Sequence, residues 1–404
     1  MYKSERRQFY AQVEQFWADL YGEEYALYDF YEMTAEEVAK IRLATERTGS
    51  IYFKTAHLLR NVSDETLLEM GYPEETLQFL RLKTLSAESI IARFDFIPYD
   101  GGYKCIEMNA DTPTFIKELF FVNERICRAF AMENPNAGME QLLKDAVQES
   151  VAQSKVSQKA HVVFTAHEQH IEDYYTALYL MQFVPGAKFT PLHRLQIQRG
   201  FGLFDEDGKR IDVLYRQTFP IENLIQDEDE AQNRIGLWLM ELVEQQLLRI
   251  INPPSAFLLQ NKAVQAVIWG LYEEGNAFFS AEEHEWIAEY FLPTYLEEGP
   301  FIEKGLRYVK KPVFGREGDT VEIYEADGRL LQEDAQKSYR QYPMVYQQYI
   351  EQPKTVFQSE KGEQTGEMLV GSFLISGRPG AIGLRIGGMI TNNLSYYLPV
   401  GMKS

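Results

Sequence analysis

The chain has 404 residues, of which 45% are hydrophobic and 25% charged, an ordinary globular balance with room for two or three domains. Its formal net charge of −20 argues against sequence-independent nucleic-acid binding, which needs Lys and Arg to replace phosphate counterions, and against docking on anionic lipid. An acidic surface is compatible with a cationic substrate such as a polyamine, although solubility alone is the more ordinary account of it.

Only two cysteines occur, Cys105 and Cys127, with no Cys-x-x-Cys pair, so neither a zinc ribbon nor a redox couple is indicated and a reducing cytoplasm is expected. The start of the chain, Met1-Tyr-Lys-Ser-Glu-Arg-Arg7, opens no secretory apolar stretch. No run of about 18 apolar residues is present to span a membrane.

Residues 1 to about 88 read as helical, with Thr34-Ala-Glu-Glu37 as a capping box. Two strands follow, 91–97 and 103–109, joined by a turn at Pro98–Gly102, and then a helix from Thr114 to Phe130. His161–Ala166 as a strand, 168–183 as a helix and Arg210–Tyr215 as a strand give an α/β rhythm over 155–225. The acidic run Asp227–Glu230 is expected to begin a solvated helix face. Residues 255–310 read as mainly helical, with a second capping box at Ser280–Glu283. Strands and glycine loops then dominate: Tyr308–Gly318, Thr320–Tyr324, Met344–Ile350, Met368–Ile375 and Ala381–Ile390. The polar stretch 352–367 between them reads as an exposed loop.

The chemistry concentrates in Arg93-Phe-Asp-Phe96 and Glu107-Met-Asn-Ala-Asp-Thr-Pro-Thr114. In a hairpin centred near Gly101, Asp95 faces Glu107 and Arg93 faces Asn109, and period-two alternation puts all four on one face. Phe94, Phe96, Ile106 and Met108 take the other face, and Cys105 lies on that apolar side too. Two facing carboxylates repel, and a divalent cation removes the problem. Asp, Glu and Asn offer only oxygen, the donor that Mg²⁺ prefers, and Mg²⁺ completes its shell with water and phosphate oxygens. An Arg–carboxylate pair on a solvated hairpin is the competing account.

Elsewhere, no Walker P-loop occurs. Val309-Lys-Lys-Pro-Val-Phe-Gly-Arg-Glu-Gly318 offers Lys311 on a strand, then a loop with Gly315 and Gly318 whose amides could lie over phosphates. Lys262 is a second candidate, and Val345–Ile350 is a strand whose backbone could read an adenine edge. Arg385 could stabilise charge on a phosphoryl group or tetrahedral species. His167 and His170 are spaced wrongly for zincin chemistry, and Asp205–Lys209 reads as a turn.

Arg-x-Asp-Phe, a short turn and Glu-x-Asn resemble the metal hairpin of ATP-grasp ligases. The hairpin precedes the lysines here, whereas it follows them in that superfamily, which points to a permuted member. With Asn261-Lys-Ala263, Lys310–Gly318 and Gly383-Leu-Arg385, the strings resemble the synthetase domain of the glutathionylspermidine synthase family over about residues 10–400. The resemblance implies an α/β (α+β) fold with a circularly permuted ATP-grasp-like core and an inserted smaller α/β domain. Its parts are 1–154 with the metal hairpin, 155–225 as the smaller domain, and 226–404 as the ATP-binding region. It implies an ATP-dependent acid–amine ligase acting through an acyl phosphate. Asp95, Glu107 and Asn109 would hold Mg²⁺, and Lys262 and Lys311 would contact ATP phosphates under Gly315 and Gly318. Gln348 and Tyr349 would lie in the adenine hinge, and Arg93 and Arg385 would steady the acyl phosphate. The partners are a small-molecule or peptide carboxylate and an amine. Another ATP-grasp peptide or amino-acid ligase, and a regulatory Mg–ATP-binding protein without turnover, are the alternatives. Bifunctional members carry an amidase domain with a catalytic cysteine, for which this chain has no room. The segment after Arg385 is more apolar than the family leads one to expect, so the substrate end is expected to differ.

Overall fold

A computed structural model describes residues 1–154 and 159–403 of the chain. The boundary drawn at residues 154 and 155 therefore falls at the edge of the described residues.

Three sheets carry the mixed α/β architecture. The largest is antiparallel and runs Tyr396–Leu398, Arg378–Gly387, Gly362–Ile375, Ile91–Tyr99 and Gly102–Asn109, with Lys354–Ser359 also paired to Gly362–Ile375. Its central ladder joins distant parts of the chain, pairing Phe96 with Val370 and Arg93 with Phe373. A second antiparallel sheet runs Thr294–Tyr295, Met344–Gln348, Tyr308–Pro312, Glu322–Tyr324 and Leu330–Glu333. The third is parallel, in the order Arg249–Ile251, Val213–Gln217, Val162–Ala166 and Lys188–Phe189.

Both capping boxes form. Thr34 opens the helix Ala35–Leu59 and Ser280 opens Ala281–Tyr290, each with reciprocal side-chain to backbone bonds to a Glu three residues on. The long helix covers the apolar face of the main sheet, where Phe94, Phe96, Cys105 and Met108 are buried. Tyr52 meets Phe94 at 5.5 Å between ring centroids. Gly49 permits this approach, since a Cβ there would stand 2.7 Å from Leu374. Both cysteines are buried and unbridged. Among the described residues no helix is long and apolar enough to cross a membrane.

Several expectations need correction. Residues 352–367 are not a loop: Lys354–Ser359 and the start of Gly362–Ile375 form a hairpin turning at Glu360–Lys361. Exposed residues alternate along its first strand, so its composition reads as loop-like. Asp227–Glu230 does not begin a helix, which starts only at Ile235. Asp229 instead accepts from the backbone of Ala231 and Asn233, an Asx-type turn. The first 88 residues contain short strands at Asp19–Leu20, Glu23–Glu24 and Tyr31–Glu32 among the helices. The regular strand over Tyr308–Gly318 stops at Pro312, and a loop follows.

Candidate active site

The hairpin has the expected pairing at its chemical end and a different one at its turn. Arg93 pairs with Asn109 and Asp95 with Glu107, but the next pair is Phe96 with Cys105. The turn is therefore the two residues Asp100-Gly101, both with positive φ (50° and 73°), the tight primed turn that this dipeptide favours. Ile106 is the extra residue of a bulge. The bulge turns Ile106 away from the core face assigned to it and toward an apolar wall with Ile97, Leu292, Ile350 and Leu369. It also frees the Ile106 carbonyl, which accepts from Lys311 Nζ at 2.7 Å.

These elements line one cleft of about 1600 Å³, counting its open mouth. Arg93, Asp95, Glu107, Asn109, Lys262, Lys311, Gly315, Gly318, Gln348, Tyr349 and Arg385 all border it. Every site residue singled out in the sequence is thus brought to the same cavity.

At its floor, Arg93 donates from Nε and Nη2 to the two oxygens of Asp95 at 2.7 and 3.0 Å, and from Nη1 to the Thr114 carbonyl at 3.0 Å. Asn109 Nδ2 lies 3.4 Å from Asp95 Oδ2 and 3.2 Å from Glu107 Oε1, bridging the two carboxylates. Lys262 Nζ donates to the Gly315 carbonyl at 2.8 Å and stands 3.7 Å from Glu107 Oε2. Burial pushes the Glu107 carboxyl up, but Lys262, Lys311 and Arg93 outweigh it and bring it down to about 2. Burial, with Glu107 nearby, raises Asp95 against the pull of Arg93. Burial also draws the Lys311 ammonium down to about 8, with Glu107 opposing.

Gln348 and Tyr349 sit at the end of the strand Met344–Gln348, their amides donating to the Pro293 and Arg307 carbonyls at 2.9 and 3.0 Å. Tyr349 carries the Arg307 guanidinium 5.1 Å above its ring. Arg385 donates to the Asn392 carbonyl at 2.8 Å. The string after the hairpin ties the cleft to the parallel sheet. Asp111 pairs with Arg216 and accepts from the Ile221 amide, while Ala110 and Asp111 donate to Gln260.

Two groups at the cleft, Arg316 and Glu172, and a buried carboxyl that acts on the second, Glu118, escaped sequence reasoning. Arg316, on the glycine loop, has a side chain with no hydrogen bond or ion pair among the described residues, and its guanidinium lies 4.6 Å over the Phe219 ring. Glu172, at the start of the helix Ile171–Met181, borders the cleft. Burial, with Glu118, Asp173 and Glu317, pushes it up to about 8, against the pull of Arg385. Glu118 is fully buried, accepts from Tyr25 Oη at 2.7 Å and keeps its second oxygen without a partner. No local signal marks any of them, because each acquires its surroundings from residues distant in the chain. His167 and His170 pack on Phe219, at 4.8 and 5.1 Å between centroids. Cys105 is buried on the core side, which raises its thiol.

Residues 3–403 match the family described as glutathionylspermidine synthase preATP-grasp. The chain belongs to that family. Among proteins similar to this glutathionylspermidine synthase family member is one from Haemophilus influenzae, described as a "Putative acid--amine ligase". It is 26% identical over 388 residues, 91% of this chain and 88% of that protein. Trypanothione synthetase of Crithidia fasciculata is 22% identical over 318 residues, covering 74% of this chain and 46% of its own length. The chain thus spans less than half of that second protein. A Methylobacillus flagellatus structure described as a "Putative gamma-glutamylcysteine synthetase" aligns over 92% of this chain and 87% of its own, at 11% identity and a TM-score of 0.45.

Proposed function

We propose that this protein is an ATP-dependent acid–amine ligase that forms an amide through an acyl phosphate and releases ADP. The observation that carries this is the convergence of two carboxylates and an amide with two lysines and two arginines on one cleft. The family and its named relatives support the ligase class. In this reading the core is a permuted ATP-grasp fold with the parallel-sheet region inserted.

Asp95, Glu107 and Asn109 fit a magnesium ion by donor chemistry. Asp95 Oδ2 and Glu107 Oε1 already share the Asn109 amide, and turning that amide over presents a third oxygen. Bound magnesium would neutralise phosphate charge. Lys262 and Lys311 would hold phosphate oxygens, with Gly315 and Gly318 shaping the loop above them. Ile97, Ile106, Leu292, Ile350 and Leu369 would sandwich the adenine beside Gln348 and Tyr349. Arg93 orients Asp95, and with Arg385 and Arg316 it would steady charge on the acyl phosphate and its tetrahedral successor. The substrate carboxylate takes the γ-phosphoryl group, the amine nitrogen attacks the acyl carbon, and phosphate departs as the amine loses a proton. Glu172, with Glu118 and Asp173 behind it, would receive the ammonium group of the amine, a polyamine being one candidate. Catalysis would rest on positioning and electrostatics.

The test is a purified-enzyme screen of carboxylates paired with amines for ADP release. Release that requires both an acid and an amine is expected. ATP hydrolysis indifferent to every acid–amine pair would refute the assignment.

A further inference from the structure

Lys311 is 6% exposed and sits between two neutral acceptors, the Ile106 carbonyl at 2.7 Å and Gln347 Oε1 at 2.9 Å. No carboxylate lies within ion-pair distance of it among the described residues, since the nearby Glu107 pairs with Lys262. A buried ammonium held only by neutral oxygens leaves its charge uncompensated at contact, and its third proton has no acceptor among the described residues. The surface that Lys311 presents belongs to the cleft.

Gln347, 2% exposed, projects from the same face of its sheet as Lys311, with Val309 opposite it and Val345 opposite Lys311. Its orientation is fully determined. Thr294 Oγ1 donates to the Leu292 carbonyl at 3.0 Å, so its lone pairs face Gln347. Gln347 Nε2 donates to Thr294 Oγ1 at 3.1 Å and to Gln265 Oε1 at 2.5 Å. With both amide protons taken, only Oε1 can face Lys311. A directed chain thus runs from Lys311 through Gln347 to Thr294 and on to Leu292, a wall residue of the apolar slot.

We propose that Gln347 is a positioning residue that fixes the Lys311 ammonium toward a nucleotide phosphate, through a buried amide chain anchored on Gln265 and Thr294. A neutral amide suits this place because a carboxylate there would pair with Lys311 and compete with the phosphate. The inference rests on the reading of Lys311 as a phosphate-binding group.

The experiment is calorimetric titration of a magnesium complex of a non-hydrolysable ATP analogue into the wild type, Gln347→Leu, Lys311→Met and the double variant. Gln347→Met replaces Gln347→Leu if melting shows that the branched side chain unfolds the protein. The expected result is about a tenfold loss of affinity for Gln347→Leu, the scale of one hydrogen bond to a charged group. The double variant should then bind no worse than Lys311→Met, and in steady-state assays Gln347→Leu should raise the KM for nucleotide by more than it lowers turnover at saturating nucleotide. Losses that simply add, or a Gln347→Leu affinity equal to wild type while Lys311→Met weakens binding, overturn the positioning role and leave the ligase assignment standing. Lys311→Met binding as the wild type does would overturn the phosphate role of Lys311 itself, and this inference with it.

Discussion

Lys262 joins the glycine loop to the acidic hairpin: its ammonium donates to the Gly315 carbonyl at 2.8 Å while standing 3.7 Å from Glu107. One cation from the loop before the helix Ala263–Glu273 therefore fixes two elements that would both face the nucleotide. Replacement by Met removes both ties and, in the proposed reading, a phosphate contact. Nucleotide affinity is expected to fall about tenfold or more, read by calorimetry with the magnesium–nucleotide complex. Wild-type affinity in Lys262→Met would show that the loop needs no such tie.

Glu107 keeps its charge because Lys262, Lys311 and Arg93 surround it. Glu107→Ala should abolish magnesium-dependent nucleotide binding and leave the apolar slot intact. Affinity measured with and without magnesium checks this, and an undiminished magnesium dependence in the variant would count against the hairpin as the metal site.

Arg93 and Asp95 form a buried, two-pronged ion pair. Arg93→Met strands the Asp95 carboxylate, and loss of one partner of a buried pair costs about 3–5 kcal/mol. Denaturant unfolding of the ligand-free protein should register a loss on that scale, and a change under about 1 kcal/mol would indicate that the pair behaves as an exposed one.

Arg385 lies at the cleft on the strand Arg378–Gly387 and donates to the Asn392 carbonyl. Arg385→Ala is expected to lower turnover by about a hundredfold, the scale of a lost charge-stabilising donor, and to change nucleotide affinity far less. Steady-state ADP release together with direct binding separates the two effects, and equal losses in both would reassign the residue to nucleotide binding.

Burial lifts Glu118 to about 7, against the hydrogen bond from Tyr25. A folded carboxyl raised above its unfolded value of 4.5 binds more protons than the unfolded chain does. Its contribution is therefore unpenalised at or below pH 4.5, and stability is lost progressively as the pH rises through about 7. Glu118→Gln keeps an oxygen for Tyr25 and removes the titration. Unfolding curves at pH 5 and pH 8.5 should show the wild type losing more stability than the variant, and parallel losses would place the titrating group elsewhere.

The local strings contain most of the residues that border the cleft's candidate site. Alternation along a strand pair needs only a turn and a ladder, so Arg93, Asp95, Glu107 and Asn109 could be put on one face from spacing alone, and the pairing agrees. The capping boxes were equally local, since a hydroxyl and a carboxylate three residues apart close on their own backbone. The hairpin at 354–367 was not legible, because its alternating exposed residues follow from which face the sheet leaves to solvent.

Composition, charge and motif spacing alone pointed to a mixed α/β chain with oxygen-bearing side chains on one face of a hairpin and lysines on later segments. The bulge at Ile106, the stacking of Arg316 on Phe219, the influence of Glu118 on Glu172 and the Gln347 chain were decided only by tertiary structure. Apart from the bulge, each depends on groups far apart in sequence meeting in buried or half-buried surroundings, where the cost of leaving a charge or an amide unsatisfied fixes which partner it faces.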